Sequence, residues 1–288
     1  MEGALAAPPF SGLWFSSREE EARFSMAYAE ERFRPIDRAY HRLAGFVLAV
    51  AVAWAQLREV GLSRSGAITC LVSIAAVAMH CLWIWLGVDR RHELRLPMLF
   101  AHRIFCTASV VAMVPVWHSE PITSAWSLLQ WLMGATGAAG LAFFSFATPL
   151  LTVHHLMVQG SITLFAALYT SRQACTEEVL SAVAAPYVVA AWRWLCALCT
   201  GSASSTPMPN LEGACWRVAV MAQVAWGFCA PSYILWASEY RARLRHSPGG
   251  LPRLTWRDMA VHWMLMHTGM SCFWMLLHAG AGAWAPEG

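Results

Sequence analysis

Two adjacent histidines, His154 and His155, sit in the otherwise apolar stretch LTVHHLMVQG. Imidazole ligates metals, moves protons near neutral pH and lines polar cavities, and an ionisable group at membrane depth is costly enough to point to function. Neighbours on a helix project about 100° apart, so the doublet is not one device. Thr152, His155, Gln159, Thr163 and Thr170 fall within an arc of about 80° and form a polar stripe. His154 lies on the far side with Ser161.

Other faces carry similar groups. Gly66, Thr69, Ser73, Ala76, His80 and Gly87 line one small, mildly polar face of a second segment, against which another helix can pack closely. Arg103 and Thr107 share a face of a third, and His267, Ser271, Trp274 and His278 share one near the C-terminus. The expected polar interior is therefore His155, Gln159, Thr152, Thr163, His80, Arg103 and Thr107. Such a lining acts either as interhelical glue, at about 0.6 kcal/mol per bond, or as the wall of a pathway or binding cavity. Arg193, between Trp192 and Trp194, can snorkel to an interface or turn inward as a second core cation beside Arg103.

Several chemistries are disfavoured. All seventeen acidic residues lie in tails, in loops or at segment ends. Carboxylate proton relays, Na⁺ or Ca²⁺ cages and paired-carboxylate catalysis therefore lack ligands in the interior. No HExxH, HxxxH or clustered histidine box occurs. A bis-histidine haem needs two imidazoles facing each other at one depth; His80, His155, His267 and His278 are candidates without a matched partner. No metal or cofactor is expected, with haem as the alternative. His102 and His118 read as interfacial residues. The nine cysteines, Cys196 and Cys199 in CALC among them, read as core filler instead of a disulfide framework. GATGAAG (Gly134, Gly137, Gly140) reads as a close-packing patch on a continuous helix. No phosphate loop, dinucleotide fingerprint or nucleophile elbow is present.

The elements that must position these groups are apolar helices. The chain is 58% hydrophobic and 13% charged over 288 residues, with mean hydropathy +0.46; a soluble domain carries about 25% charged residues. Eight apolar segments follow one another, at about 41–57, 66–88, 97–118, 124–147, 150–170, 179–200, 214–238 and 257–284, most of them long enough to span a bilayer. The expected fold is an all-α polytopic membrane helix bundle with seven or eight crossings. Residues 1–41 form a cytoplasmic N-terminal segment with an amphipathic helix, capped by Ser17 and broken by Pro35. Residues 42–285 form one transmembrane domain, with a polybasic loop at 239–256. Arginines cluster before the first segment, between the second and third, and between the seventh and eighth. Placing all three on the cytoplasmic side demands an even number of crossings between Arg95 and Arg241. Five segments lie there, so the fifth or sixth is expected not to cross.

A net charge of +3 gives no reason to expect nucleic acid. The partners expected are the bilayer, anionic lipid at Arg241, Arg243 and Arg245, and a small polar or anionic solute. The expected function is a non-enzymatic transporter, channel or sensory or assembly module with a His/Gln/Thr-lined interior. The alternative is a histidine-based membrane enzyme or haem redox protein.

Overall fold

A computed structural model describes residues 7–13, 15, 17–60, 64–117, 122–176, 180–203, 207–246 and 252–279. Its regular structure is all helical, with no strand among the described residues. The first helical run is α1 (Arg18–Tyr28), α2 (Arg34–Ala39) and α3 (Gly45–Val60), joined by π-helical turns Ala29–Phe33 and Tyr40–Ala44. Ser17 caps α1 by accepting from the Glu20 N–H. Pro35 does not end the run as expected. It occupies the first turn of α2, just after a π turn whose backbone ladder is already shifted, so its missing N–H is tolerated. The boundary expected at residues 41 and 42 falls inside this run.

The remaining helices are α4 (Arg64–Leu86), α5 (His92–Trp117), α6 (Ala125–Met133), α7 (Ala138–Ala147), α8 (Thr152–Leu168), α9 (Thr170–Ala174), α10 (Ala185–Thr200), α11 (Leu211–Ala222), α12 (Ala230–His246) and α13 (Trp256–Ala279). α3 pairs with α4, and α4 with α5. α6 and α7 meet at a bend of 49°. The glycine-rich stretch is thus a break rather than a continuous helix: Gly137 adopts a left-handed conformation at φ 79°, which glycine enters without steric cost. A π-helical segment, Gln223–Cys229, joins α11 to α12 in one helical run, Leu211–His246. Among the described residues that run is the one helix long and apolar enough to cross a membrane, with the bent pair α6–α7 a second if taken as one span, against the seven or eight crossings expected.

Two ends of the bundle are chemically distinct. At one, Arg95 holds Asp37 at 2.6 Å and donates to the Pro149 carbonyl at 2.8 Å. Glu239 of α12 accepts the Thr152 N–H and hydroxyl at 2.7 and 2.8 Å, capping α8, whose own N-cap residue Leu151 offers no side-chain acceptor. Arg243 closes the group by gripping Glu21 with both terminal nitrogens at 2.7 Å and Glu239 at 2.8 Å. These eight residues of 239–246 are helical, not a loop as expected. Arg243 is buried and committed to two carboxylates. Arg241 and Arg245 are exposed; of the three arginines expected to meet anionic lipid, Arg243 is not.

At the opposite end Cys175 and Cys215 form a disulfide across α9 and α11. This corrects the expectation that the cysteines are only filler: 40 residues separate the pair, and only the packing of α9 against α11 juxtaposes them. The seven other cysteines form no disulfide. Ile122, Trp131, Ala184, Val188, Trp192 and Trp274 pack with this pair in one apolar cluster. Ala184, at the start of α10, and Cys215, near the start of α11, therefore share this end. α10 runs back along α13, with Trp192 against Trp274 and the Leu198 carbonyl at 3.1 Å from His267.

Candidate functional site

The bundle brings together three histidines from three elements. His41 comes from the π turn before α3, His80 from α4 and His102 from α5, and each is at most 1% exposed. His80 sits between the others: its Nδ1 is 3.2 Å from His41 Nδ1 and its Nε2 3.1 Å from His102 Nε2. Cys106, one turn beyond His102, places its Sγ 3.3 Å from His102 Nε2. Trp83 stacks on His41 at 3.8 Å between ring centroids, fixing that ring's plane. Tyr40 packs edge-on against all three imidazoles. Gly45 opens α3 with no side chain because a Cβ there would lie 2.4 Å from the His80 ring.

Proton accounting singles this cluster out. A neutral imidazole has one N–H and one lone pair. If His80 donates to His41 Nδ1, His41 carries its proton on Nε2; if His41 donates, its Nε2 is a bare lone pair. Either way His41 Nε2 is buried with no hydrogen-bond partner among the described residues, which costs about 1–3 kcal/mol for an orphaned polar group. A cation removes that frustration by taking lone pairs directly. One nitrogen from each ring can be chosen so that all three lie within 4.8 Å of one another. Ligands at 2.0–2.1 Å in a tetrahedron are about 3.3 Å apart; His80 can turn only one nitrogen to a given ion, so either of the separations above, but not both, matches a ligand pair. The rings would have to rotate to bring all three nitrogens to one ion, and Cys106, 3.3 Å from His102 Nε2, offers a fourth, softer donor. Three imidazoles and a thiolate suit Zn²⁺ or Cu⁺.

Beside it lies a second cluster. Arg103 follows His102 on α5 and is buried; it donates to the Thr148 hydroxyl at 2.9 Å, the Thr148 carbonyl at 2.5 Å and Gln159 Oε1 at 3.3 Å, with His155 Nδ1 at 3.4 Å. Gln159 donates to the Leu141 and Gly227 carbonyls at 3.0 and 2.7 Å, the latter in the π-helical segment, where the shifted ladder frees a carbonyl. His155 Nε2 meets the Ser232 hydroxyl at 3.0 Å.

The expected lining residues are therefore dispersed by role. Arg103, His155 and Gln159 meet. His80 joins the histidine cluster. Thr152 is bound to Glu239. Thr163 is buried with an unpartnered hydroxyl. Thr107 faces Thr136 and Thr170 around a small space at the α6–α7 bend. Arg193 is exposed, not a second core cation; Arg217 is the more buried cation at that end, its guanidinium over the Trp192 ring. His102 is buried rather than interfacial, because α5 is flanked by both α4 and α8. His118 and the side chain of Thr69 lie outside the described residues. The residues missed by sequence reasoning are His41, His102 and Cys106. HRIFC carried a usable signal, since His102 and Cys106 stand four apart on one helix face; His41 carried none, lying in a charged, polar stretch.

Comparison with protein-family models, with curated proteins and with solved structures finds no match to this chain.

Proposed function

We propose that the chain is a seven-crossing membrane protein whose functional centre is a transition-metal site at His41, His80 and His102, with Cys106 as a fourth ligand. The observation that carries the metal reading is the buried three-imidazole cluster with an orphaned nitrogen. The membrane reading rests on apolar surface: Trp54 is 70%, Trp85 80%, Leu164 61% and Leu276 68% exposed, beyond the scattered apolar groups of a soluble surface. Crossings at α3, α4, α5, the bent α6–α7, α8, α11–α12 and α13 leave α10 as a helix that enters and returns on the disulfide end. That gives four crossings between Arg95 and Arg241, the even number which the arginine clusters require. The disulfide favours an oxidising compartment on its side, and the arginine end then faces the cytoplasm. Two independent signals thus agree on sidedness.

A histidine-based enzyme or metal carrier fits this site better than a solute channel does. Arg103, His155 and Gln159 spend their polar atoms on each other and on backbone carbonyls, which is the behaviour of interhelical glue. The test is elemental analysis of detergent-purified protein reconstituted with Zn²⁺, Co²⁺ or Cu⁺. One ion per chain, lost in a His80→Ala/His102→Ala variant that elutes as a folded monodisperse species, is the expected result. No retained ion in the wild-type chain overturns the reading.

A further inference from the structure

One member of the histidine cluster, His80, lines a cavity of about 260 Å³ together with Cys106. The rest of its wall is apolar: Leu48, Ala49 and Val52 of α3 face Phe143 and Phe144 of α7 across it, with Ala76 of α4 at its floor. Its polar groups are few and gathered on the inner helices: Tyr40, His80, Cys106 and Ser109. A dry apolar cavity of about 150 Å³ already accommodates benzene, so this one has room for a longer hydrocarbon group. The outer rim is exposed, with Leu48 at 42% and Phe143 at 44%. The outward faces of α3 near this rim are apolar as well, Val47 and Val50 included. The space therefore opens sideways, through a surface of hydrocarbon character, and not toward either polar end. Gly45 matters here too: its missing side chain brings α3 against Tyr40 and His80 and joins the apolar space to the cluster.

We infer that this cavity binds an alkyl chain entering laterally, with the polar head of the same molecule presented to the histidine cluster. The substrate or ligand class is then a membrane-dissolved amphiphile: hydrocarbon in the tail and a metal-ligating head such as a carboxylate or hydroxyl. This rests on the metal reading above for the head and on the cavity alone for the tail, so the two are tested separately. Such pockets are typically apolar with a small number of convergent polar groups, as here.

For the tail, the purified protein is irradiated with a sixteen-carbon fatty acid carrying a mid-chain diazirine, and labelled peptides are mapped. Labels are expected to concentrate on α3 around Leu48 and Val52 and on α7 around Phe143. They should be competed by decanoate and diminished at least fivefold in Ala49→Trp, which fills the space from α3. Labels spread evenly over outward residues such as Leu164 and Leu276, unchanged in Ala49→Trp, overturn the proposal. For the head, decanoate is titrated into Co²⁺-loaded protein. A shift in the cobalt absorption bands, absent in Ala49→Trp although that variant retains one cobalt per chain, is expected. Competition by decanoate without any spectral shift in cobalt-loaded protein overturns the head placement and leaves a structural lipid groove. Failure to load cobalt at all counts against the metal reading, while the labelling pattern still decides the tail.

Discussion

The two buried polar clusters on α5 differ in how completely their atoms are used. Around Arg103 the guanidinium, both Gln159 amide hydrogens and the His155 ring have hydroxyl or carbonyl partners within about hydrogen-bond range. Around His102 the partners are other imidazoles and a thiol, and His41 Nε2 has none among the described residues. Adjacent residues of one helix thus serve two ends. A satisfied network holds helices in register and rewards no further ligand. An unsatisfied one keeps ring nitrogens in reserve, which is what a cation needs. The contrast teaches that exposure alone does not mark a site in such a bundle: both clusters are buried, and only one is incomplete.

The largest expected effect breaks the histidine side of this contrast. His80→Ala or His102→Ala should lower metal affinity by more than about 100-fold, beyond what loss of an outer partner does; isothermal titration with Zn²⁺ measures it. An unchanged affinity would show that the cluster is merely another satisfied core. Arg103→Met addresses the other side. It strands the Thr148 and Gln159 acceptors and should destabilise the fold by about 3 kcal/mol, visible as a lower midpoint in thermal unfolding in detergent, while the ion stoichiometry of the surviving folded fraction stays at one. Loss of the ion at full stability would invert the assignment of the two clusters.

A smaller difference sharpens the satisfied network internally. His155→Ala should cost about 1–3 kcal/mol and His154→Ala less than about 0.5, since His155 is buried against Arg103 and Ser232 and His154 is only half-buried. Equal shifts in the same unfolding assay would refute the stripe as a structural seam. The smallest effect concerns the outer layer that ties α1 to α12. Burial pushes the Glu21 carboxyl up, but the Arg243 hydrogen bonds and charge and the Phe15 N–H hold it below its ordinary range on balance. A depressed carboxyl contributes stability above its unfolded value, about 4.3, and that contribution disappears as pH falls through the folded value. Protection against hydrogen exchange at residues 18–28, relative to the intrinsic rate at each pH, should therefore fall on acidification before protection at α5 does. Simultaneous release of both would mean that α1 is not held separately by this ion group.

Much of the satisfied cluster was legible in the sequence, because Thr152, His155 and Gln159 repeat at helical spacing and periodicity reports which face turns inward. Arg103 was legible as an arginine stranded in an apolar run. The histidine cluster was not, because it is built from residues 41, 80 and 102 with no shared period; His41 looked like part of a charged tail until the π turns carried that tail into the bundle. The disulfide escaped for the same reason: spacing along the chain says nothing about which helix ends meet. The glycine-rich stretch misled, since three glycines fit close packing and a left-handed break equally well until Gly137 takes its φ.

The amino-acid sequence by itself determined that this chain is helical and apolar, that its carboxylates stay out of its long apolar runs, and that a stripe on α8 faces inward. These follow from composition and from a period of 3.6 residues, both local properties. Only the tertiary structure decided that His41, His80 and His102 converge, that Arg243 is buried against two carboxylates while Arg241 and Arg245 are exposed, and that Cys175 meets Cys215. Those outcomes depend on contacts between helices far apart in sequence, set by how side chains interlock across the bundle, and no local pattern encodes them.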